Sequence, residues 1–197
     1  RRQRAVINSH PGQDKEAAKQ VPLLEKIQTH LQSGKPAREL SFHEDEALFV
    51  RSLQLLTAKP LLYVVNTDEG ANEIPPGISP AITISAKIEA ELADLPPEDA
   101  KAMLKDLGLQ ESGLDKLIHA SYALLHLITY FTSGPEESRA WTITRGTKAP
   151  QAAGVIHTDF EHGFIRAETI SYGDFVGHNG EAGAREAGKL RLEGKEY

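Results

Sequence analysis

Two short apolar segments that end on polar residues constrain the fold of this chain more than any other feature. The first contains "YVVN" at residues 63–66 and the second is "AITISA" at residues 81–86. Each run is too short for a typical helix, so we predict two short strands, the first of them buried in a parallel sheet. Parallel strands deliver their C-terminal residues to the crevice where α/β folds bind ligands, so polar side chains at these ends predict a ligand site.

The residues that follow these two strands suit the recognition of a heterocyclic base. Asn66 carries both a donor and an acceptor, and the carboxylate of Glu69 accepts hydrogen bonds from base N–H groups. The first segment by itself also fits a strand followed by an Asx-type turn, and it favours that reading. The second segment repeats the order of strand, small polar residue and helix at Ser85 and Ala86, which moves the balance towards a base site.

Helical periodicity covers several other parts of the chain. Residues 14–33 have helical spacing, and because proline disrupts a helix interior we expect this helix to begin near Val21, just before Pro22. A capping box at residues 41–44 predicts a helix that runs to Leu56. Further helices are predicted within residues 87–95 and 96–108, and residues 113–131 form the strongest amphipathic segment, with an apolar stripe of Leu117, Ala120, Leu124 and Leu127.

The pattern changes after residue 133, where alternating segments replace the helices. Both "RAWTITRG" and "RAETIS" alternate as strands do, and the pieces between them are short and rich in glycine. We therefore predict a domain boundary near Ile128, with an α/β layer before it and a small α+β module after it. The abrupt start, and an end at which a strand is expected to begin, predict that the chain is a piece of a longer protein.

The composition excludes several classes of protein. Hydrophobic residues make up 40% and charged residues 25% of the chain, which is ordinary for a globular protein. No apolar run of about eighteen residues is present to span a membrane. The absence of cysteine excludes a disulfide framework and a thiolate metal site. The net charge of −6 indicates no basic face for nucleic acid in bulk, although a local patch is compatible with it.

The two strand ends look like the last two base-reading motifs of a GTPase-type P-loop domain. The second motif, Ser-Ala-Lys, is intact at Ser85, Ala86 and Lys87. The first, Asn-Lys-x-Asp, is altered: the lysine position is Thr67 and the aspartate position is Glu69. Because glutamate is one methylene longer than aspartate, and threonine lacks the aliphatic stem that packs along the base, we predict weak specificity for guanine.

Together with these motifs, "ISAKIEAEL" and "RAWTITRGTKAPQAAGVIHTDFEHGFIRAETI" make the sequence resemble the YchF subfamily of Obg-like ATPases. The resemblance covers residues 23–197 and is closest over 139–170. It implies the C-terminal half of an α/β P-loop nucleotidase at 35–127, a remnant of a helical coiled-coil arm at 1–34, and an α+β TGS domain at 128–197. A TGS domain is a ubiquitin-like β-grasp, and its last strand is then expected beyond Tyr197.

The resemblance also implies the function of the intact protein: ATP binding and hydrolysis with Mg²⁺, weaker binding of GTP, ribosome association and a cytoplasmic location. The nucleotide-binding residues carried over to this chain are Asn66, Thr67, Glu69, Ser85, Ala86 and Lys87. No phosphate loop is visible, since "GAREAGKL" at residues 183–190 has Leu190 where a Mg²⁺-binding hydroxyl is required, and its composition favours helix. We expect the phosphate loop, the catalytic residues and the Mg²⁺ ligands upstream, so that this chain alone is inactive.

Basic residues near Trp141 are candidate RNA contacts in the module at 128–197: Arg139, Arg145 and Lys148. Such groups contact phosphates and bases, although a tryptophan in an alternating strand is more often part of a core. The alternative function is therefore a non-catalytic RNA- or ribosome-binding module. For His157 and Asp159 we favour a structural role over metal binding, because no third ligand is evident. We expect a monomer whose partner is the ribosome and its rRNA, without membrane contact.

Overall fold

The computed structural model describes residues 15–71, 73–134 and 136–197, and their side chains from Gln20 onwards. The described chain divides into two compact units, with the division in sequence between Leu61 and Leu62. The predicted boundaries after residues 34 and 127 stay predictions, and residues 1–14 of the predicted arm lie outside the described residues. Among the described residues, no helix combines the length and the apolar character needed to cross a bilayer.

The first unit is built around two helices, α1 (Lys15–Gln32) and α2 (Glu44–Ser52). Leu23, Ile27 and Val50 form its buried cluster. Helix α1 continues through Pro22, so the predicted start near Val21 is wrong. A proline removes one backbone hydrogen bond from a helix, and the burial of the apolar face that follows Pro22 offsets this loss.

Helix α2 begins and ends at different residues from those predicted. Its first turn is capped at His43, whose backbone N–H donates to the carboxylate of Glu46 at 2.9 Å, so the predicted cap at residue 41 is wrong. The helix ends at Ser52 instead of Leu56. Gln54 has a left-handed φ of 52°, and this conformation breaks the helical path shortly after Ser52.

The second unit opens with a two-stranded parallel sheet. Strand β1 (Tyr63–Asn66) pairs with β2 (Ala81–Ile84), from Tyr63 opposite Ala81 to Asn66 opposite Ile84. The two predicted strands and the parallel arrangement predicted for the first are confirmed. The predicted burial of β1 is wrong for the described residues, because Tyr63 and Val64 expose 41% and 44% of their surface and β2 is the one strand that pairs with β1 there.

Three helices follow the sheet. The first two confirm the helices predicted within residues 87–95 and 96–108. The second of them stops just before Gly108, which supplies a left-handed φ of +70°. The predicted apolar stripe is wrong at its last member, because His126 has a left-handed φ of 53° and Leu127 starts a strand. The bounds of the helices are α3 (Ala86–Ala93), α4 (Pro97–Asp106) and α5 (Gly113–Leu124).

The remainder of the unit contains two antiparallel strand pairs. Strand β3 (Leu127–Ser133) pairs with β4 (Ser138–Thr144), and β5 (Ala167–Thr169) pairs with β6 (Arg191–Glu193), which confirms the strands predicted in "RAWTITRG" and "RAETIS". In the part of the chain that the structure describes, no ladder joins the two pairs, so a single β-grasp sheet stays a prediction. The helices between the strands are α6 (Ala149–Ile156), α7 (Thr158–His162), α8 (Tyr172–Gly177) and α9 (Glu181–Glu186).

Candidate functional site

The two strand ends predicted to carry the site meet in the folded chain. In the parallel register Asn66 lies opposite Ile84, so both strands finish at the same edge of the sheet. The side-chain carbonyl oxygen of Asn66 accepts a hydrogen bond from the backbone N–H of Ala86 at 3.0 Å. The N–H of Thr67 donates to the carbonyl of Ile84 at 2.8 Å. These bonds hold together two motifs that lie 20 residues apart in sequence.

The second motif opens helix α3. The hydroxyl of Ser85 accepts from the N–H of Ile88 at 3.5 Å, so Ser85 serves as the N-cap of the helix. The side chain of Lys87 is 76% exposed and lies 4.0 Å from the carboxylate of Glu91, one turn further along. Ser85 is therefore fixed at the strand end by its capping role, whereas Lys87 extends into solvent.

A cavity of about 400 Å³ lies beside the strand ends, a volume typical of small-ligand sites. Its lining includes three of the six residues predicted to bind the nucleotide: Thr67, Glu69 and Ser85. The other three are outside the lining: Asn66, Ala86 and Lys87. The structure thus brings the first three together around one space, whereas Asn66 and Ala86 are bonded to each other outside its lining and Lys87 extends into solvent.

The far wall of this cavity was not predicted from the sequence. It comes from the linker between α4 and α5 and from the start of α5, and it includes Leu107, Leu109, Glu111 and Lys116. No motif marks these residues. The helix stop at Gly108 predicts a turn, but not the direction in which the following chain folds back, because that direction depends on contacts with distant residues.

Glu89 is a second residue that sequence reasoning missed. Its carboxylate accepts from the backbone N–H groups of Gly113 at 2.7 Å and Leu114 at 3.0 Å, and so caps the N-terminus of α5 from a neighbouring helix. A Cβ at Gly113 would lie 2.8 Å from the Glu89 carboxylate and 2.9 Å from a methyl group of Ile84. The sequence shows the start of α5, but nothing in it connects that start to a carboxylate 24 residues earlier.

The β3–β4 hairpin carries the first of the candidate RNA contacts. The guanidinium of Arg139 lies 4.1 Å from the centre of the Trp141 ring, which is a cation–π arrangement. Trp141 is half-buried, and its indole N–H donates to the hydroxyl of Thr132 at 2.9 Å on the opposite strand. The tryptophan therefore packs within the hairpin and also holds a cation at the surface, and its contact with RNA stays a prediction.

The other two candidate RNA contacts lie apart from Arg139. Arg139 is near the start of β4 and Arg145 follows its end, which separates them by about 20 Å at about 3.3 Å per residue. Lys148 is paired with Glu196, and this hydrogen bond, reinforced by the charge of the lysine, holds the pKa of the Glu196 carboxyl below its usual range. The three cations are exposed, but they extend along the hairpin and beyond it and do not form one compact cluster.

His157 and Asp159 have a structural role at the start of α7. The backbone N–H of Asp159 donates to Nδ1 of His157 at 3.1 Å, so the imidazole caps this short helix. Within the described ranges, no group of three or more His, Cys, Asp or Glu side chains is arranged to hold a metal ion. These contacts support the structural reading of the His-Thr-Asp segment.

The segment 183–190, which imitates a phosphate loop in sequence, begins as a helix. Gly183 lies inside α9, as its composition predicts. A Cβ on Gly183 would collide with the backbone carbonyl oxygen of His178, so close backbone packing explains this glycine. Phosphate binding is therefore not needed to account for it.

Comparison with known proteins bears on the same regions. The family model described as "YchF-GTPase_C: Protein of unknown function (DUF933)" matches residues 127–197. The "Ribosome-binding ATPase YchF" of Bacillus subtilis (strain 168) is 49% identical over 198 residues, which cover 93% of this chain and 54% of that protein. The protein of the same name from Escherichia coli O157:H7 is 45% identical over 197 residues, with 94% and 54% covered. The "Obg-like ATPase 1" of Oryza sativa subsp. indica is 39% identical over 198 residues, with 93% and 50% covered.

A solved structure supports the same relationship. The "Structure of the Schizosaccharomyces pombe YchF GTPase" matches 100% of this chain and 57% of its own chain, with a TM-score of 0.82 and 36% identity. The mixed α/β fold, the joined strand ends and these matches define a protein of the Obg-like class. Within that class the chain belongs to the YchF subfamily, which confirms the resemblance seen in the sequence. The chain spans about half the length of the curated relatives it matches.

Proposed function

We propose that the intact protein containing this chain binds and hydrolyses ATP and associates with the ribosome in the cytoplasm. This chain supplies the edge that recognises the base. The observation that carries the proposal is the hydrogen bond from the Ala86 N–H to the Asn66 side chain, which joins the two base-reading motifs. The names of the relatives, ribosome-binding ATPase and Obg-like ATPase, support the wider activity.

Discrimination between purines falls on Glu69 rather than on Asn66. The carbonyl oxygen of Asn66 is engaged by Ala86, so its amide NH₂ remains to meet the base as a donor. Both purines offer an acceptor at N7, so this donor does not distinguish them. The aspartate of the usual motif accepts from the two N–H groups of guanine, and Glu69, one methylene longer, is displaced against that edge, while a carboxylate can still accept from the exocyclic NH₂ of adenine. With Thr67 in place of a lysine as well, ATP is the preferred nucleotide and GTP the weaker one.

Mg²⁺ and the catalytic groups belong to residues outside this chain. Mg²⁺ in nucleotide sites is held by one or two protein oxygens together with the phosphates, and the phosphate loop that would bring these groups together is not visible in this sequence. Because phosphate and metal contacts supply most of the catalysis in P-loop enzymes, residues 1–197 alone are expected to hydrolyse no ATP. Phosphate release measured against a mock preparation tests this, and turnover that survives further purification would contradict it.

The base assignment is tested by restoring the GTPase-like residues. In the intact protein, Thr67→Lys combined with Glu69→Asp should move the preference towards GTP by about 1–3 kcal/mol, the scale of one bidentate base contact. Titration calorimetry with ATP and GTP measures the change. Glu73→Asp is the matched control, since it makes the same chemical change on an exposed residue of the same loop. An unchanged ratio of ATP affinity to GTP affinity in the double variant would contradict the base assignment.

Residues 128–197 are proposed to form a TGS domain with a β-grasp fold. The order of elements supports this: an antiparallel hairpin, a helix, and then two further strands that pair with each other. In a β-grasp one sheet contains all the strands, so a strand following Tyr197 in the intact protein would join the two pairs. The base-recognition residues then belong to the α/β part at 35–127 and the ribosome contacts to this module.

A second candidate function is a non-catalytic RNA- or ribosome-binding module. The observation that favours it is the stacked pair of Arg139 and Trp141, because a guanidinium on an aromatic ring can face phosphates and unstacked bases. The two candidates differ in nucleotide dependence. Ribosome binding by the intact protein that requires neither ATP binding nor hydrolysis would favour the module, whereas ATP turnover by the purified protein would favour the ATPase.

A further inference from the structure

Glu89 joins the base-recognition edge to the start of helix α5. It lies in the first turn of α3, two residues after the Ser85, Ala86 and Lys87 motif. Its two carboxylate oxygens accept from the N–H groups of Gly113 and Leu114 at 2.7 and 3.0 Å. The first N–H groups of a helix lack helical partners, and a negative charge there also interacts favourably with the helix dipole. One side chain therefore connects the beginnings of two helices.

The contact between α3 and α5 leaves little space for movement. Gly113 is buried, and a Cβ on it would lie within 3.0 Å of both the Glu89 carboxylate and the Ile84 side chain. Ile84 is the last residue of β2 and accepts from the N–H of Thr67 in the first motif. The start of α5 thus rests against the strand end at the point where α3 begins.

We propose that Glu89 is a positioning residue for base recognition. It holds the start of α3 against α5 and so keeps the N–H of Ala86 directed at the side chain of Asn66. Glu89 also lines the cavity, but both of its oxygens are engaged by α5, so it acts through Ala86 and not on the base. This inference rests on the proposed ATP binding and adds a residue that no base-reading motif contains.

The expected consequence of losing the carboxylate is specific to the base. Without it, the two N–H groups of α5 lose a charged acceptor and the start of α3 loses its anchor. Asn66 then no longer presents its amide in a fixed orientation, and that amide reads an acceptor common to both purines. Binding of ATP and of GTP should therefore weaken together. Binding of a ligand that has phosphates but no base should stay the same.

The experiment uses the intact protein and three variants: Glu89→Ala, Glu89→Gln and Glu98→Gln. Glu98 is the matched control, since it lies on α4 with its side chain 87% exposed. Titration calorimetry with ATP, GTP and inorganic tripolyphosphate gives the affinities, at a temperature below every melting transition. Glu89→Ala should raise the Kd for ATP and for GTP about tenfold, the scale of one hydrogen bond to a charged group, and leave the Kd for tripolyphosphate unchanged. Glu89→Gln keeps one acceptor oxygen and should show a smaller rise.

Two results would overturn the positioning role. The first is an unchanged Kd for ATP in both Glu89 variants. The second is an equal loss of affinity for ATP and tripolyphosphate, which would mark Glu89 as a residue of general stability. If Glu89→Ala does not fold, the Glu89→Gln variant gives the answer with the same three ligands. Failure of the wild-type protein to bind ATP at all would instead refute the proposed function, so the two failures are distinguishable.

Discussion

The β1–β2 edge and the β3–β4 hairpin reach their shapes by different means. In the edge, the bonds that set the geometry join residues far apart in sequence: Ala86 to Asn66 across 20 residues and Gly113 to Glu89 across 24. The hairpin is made of two seven-residue strands that pair along their whole length across a short turn. Its cross-strand side-chain bonds are short in sequence: Trp141 to Thr132 spans nine residues and Ser133 to Ser138 spans five.

This difference indicates where each region is vulnerable. The edge has a ladder of four residues on each strand, so its geometry depends on a few side-chain contacts that close long loops. The hairpin has a longer ladder between neighbouring strands, so the removal of one side-chain interaction leaves most of its bonds in place. Substitutions at the contacts of the edge should therefore cost more than substitutions at the contacts of the hairpin.

The largest expected effect is at Gly113 in the edge. Gly113→Ala introduces a Cβ too close to Glu89 and Ile84, and overpacking of this kind costs about 1–3 kcal/mol. Glycine-to-alanine changes in helices otherwise stabilise by about 0.5–1 kcal/mol. Urea unfolding of the chain measures the change in free energy. Gly173→Ala is the control, since nothing lies within 4 Å of a Cβ there. If Gly113→Ala is as stable as the wild type or more stable, the statement that the edge is the more vulnerable region is contradicted.

The next effect concerns the surface of the module at 128–197 and leaves the β1–β2 edge unaltered. Replacing Arg139, Arg145 and Lys148 together by Ala should weaken ribosome co-sedimentation of the intact protein. It should also reduce the salt dependence of the logarithm of affinity by about 0.7–0.9 for each phosphate that the variant no longer binds. ATP affinity should not change. Because Lys148 is already paired with Glu196, we expect the two arginines to account for most of the decrease.

A variant that removes exposed cations elsewhere serves as control for the basic residues. Lys101→Ala with Lys105→Ala removes two exposed cations from α4, at a distance in sequence from the hairpin. It should leave the salt dependence of co-sedimentation as it is in the wild type. The same salt dependence in the triple variant and the wild type would show that the ribosome contact lies on another surface.

The smallest expected effect is at Tyr130 on the inner side of the hairpin. Its hydroxyl donates to the carbonyl of Ala152 at 2.8 Å, so Tyr130→Phe should cost about 0.5–1.5 kcal/mol near neutral pH. Urea unfolding measures this cost. Tyr172→Phe, at a side chain 71% exposed, is the control and should cost nothing measurable.

The effect at Tyr130 should also depend on pH. Burial raises the pKa of the Tyr130 hydroxyl, so the folded state favours the neutral form. The stabilisation is complete below the pKa of the unfolded chain, about 10, and is lost as pH rises through the raised pKa of the folded state. The difference in melting temperature between the wild type and Tyr130→Phe should therefore shrink above about pH 10. An advantage that grows at alkaline pH would contradict the assignment.

Local sequence patterns predicted most of the elements and, of the cavity, only the side formed by the two strand ends. The short runs that end at Asn66 and Ser85 indicated the two strands and a parallel sheet, and the turn at Gly108 indicated the end of α4. The same patterns failed where distant contacts outweigh local preference. Helix α1 passes through Pro22 because a buried face compensates for the missing hydrogen bond, and Leu127 leaves the helix for a strand because it has a partner in β4.

The sequence by itself determined which residues follow the two strands, Thr67 and Glu69 after the first and Ser-Ala-Lys after the second, and it identified the YchF subfamily. These are properties of residue types at short spacing, which a linear pattern records directly. Only the tertiary structure decided that Glu89 caps α5, that residues 107–116 form the far wall of the cavity, and that the three candidate RNA contacts lie apart. Each of these depends on how the chain returns to a point many residues away, and no local preference specifies that path.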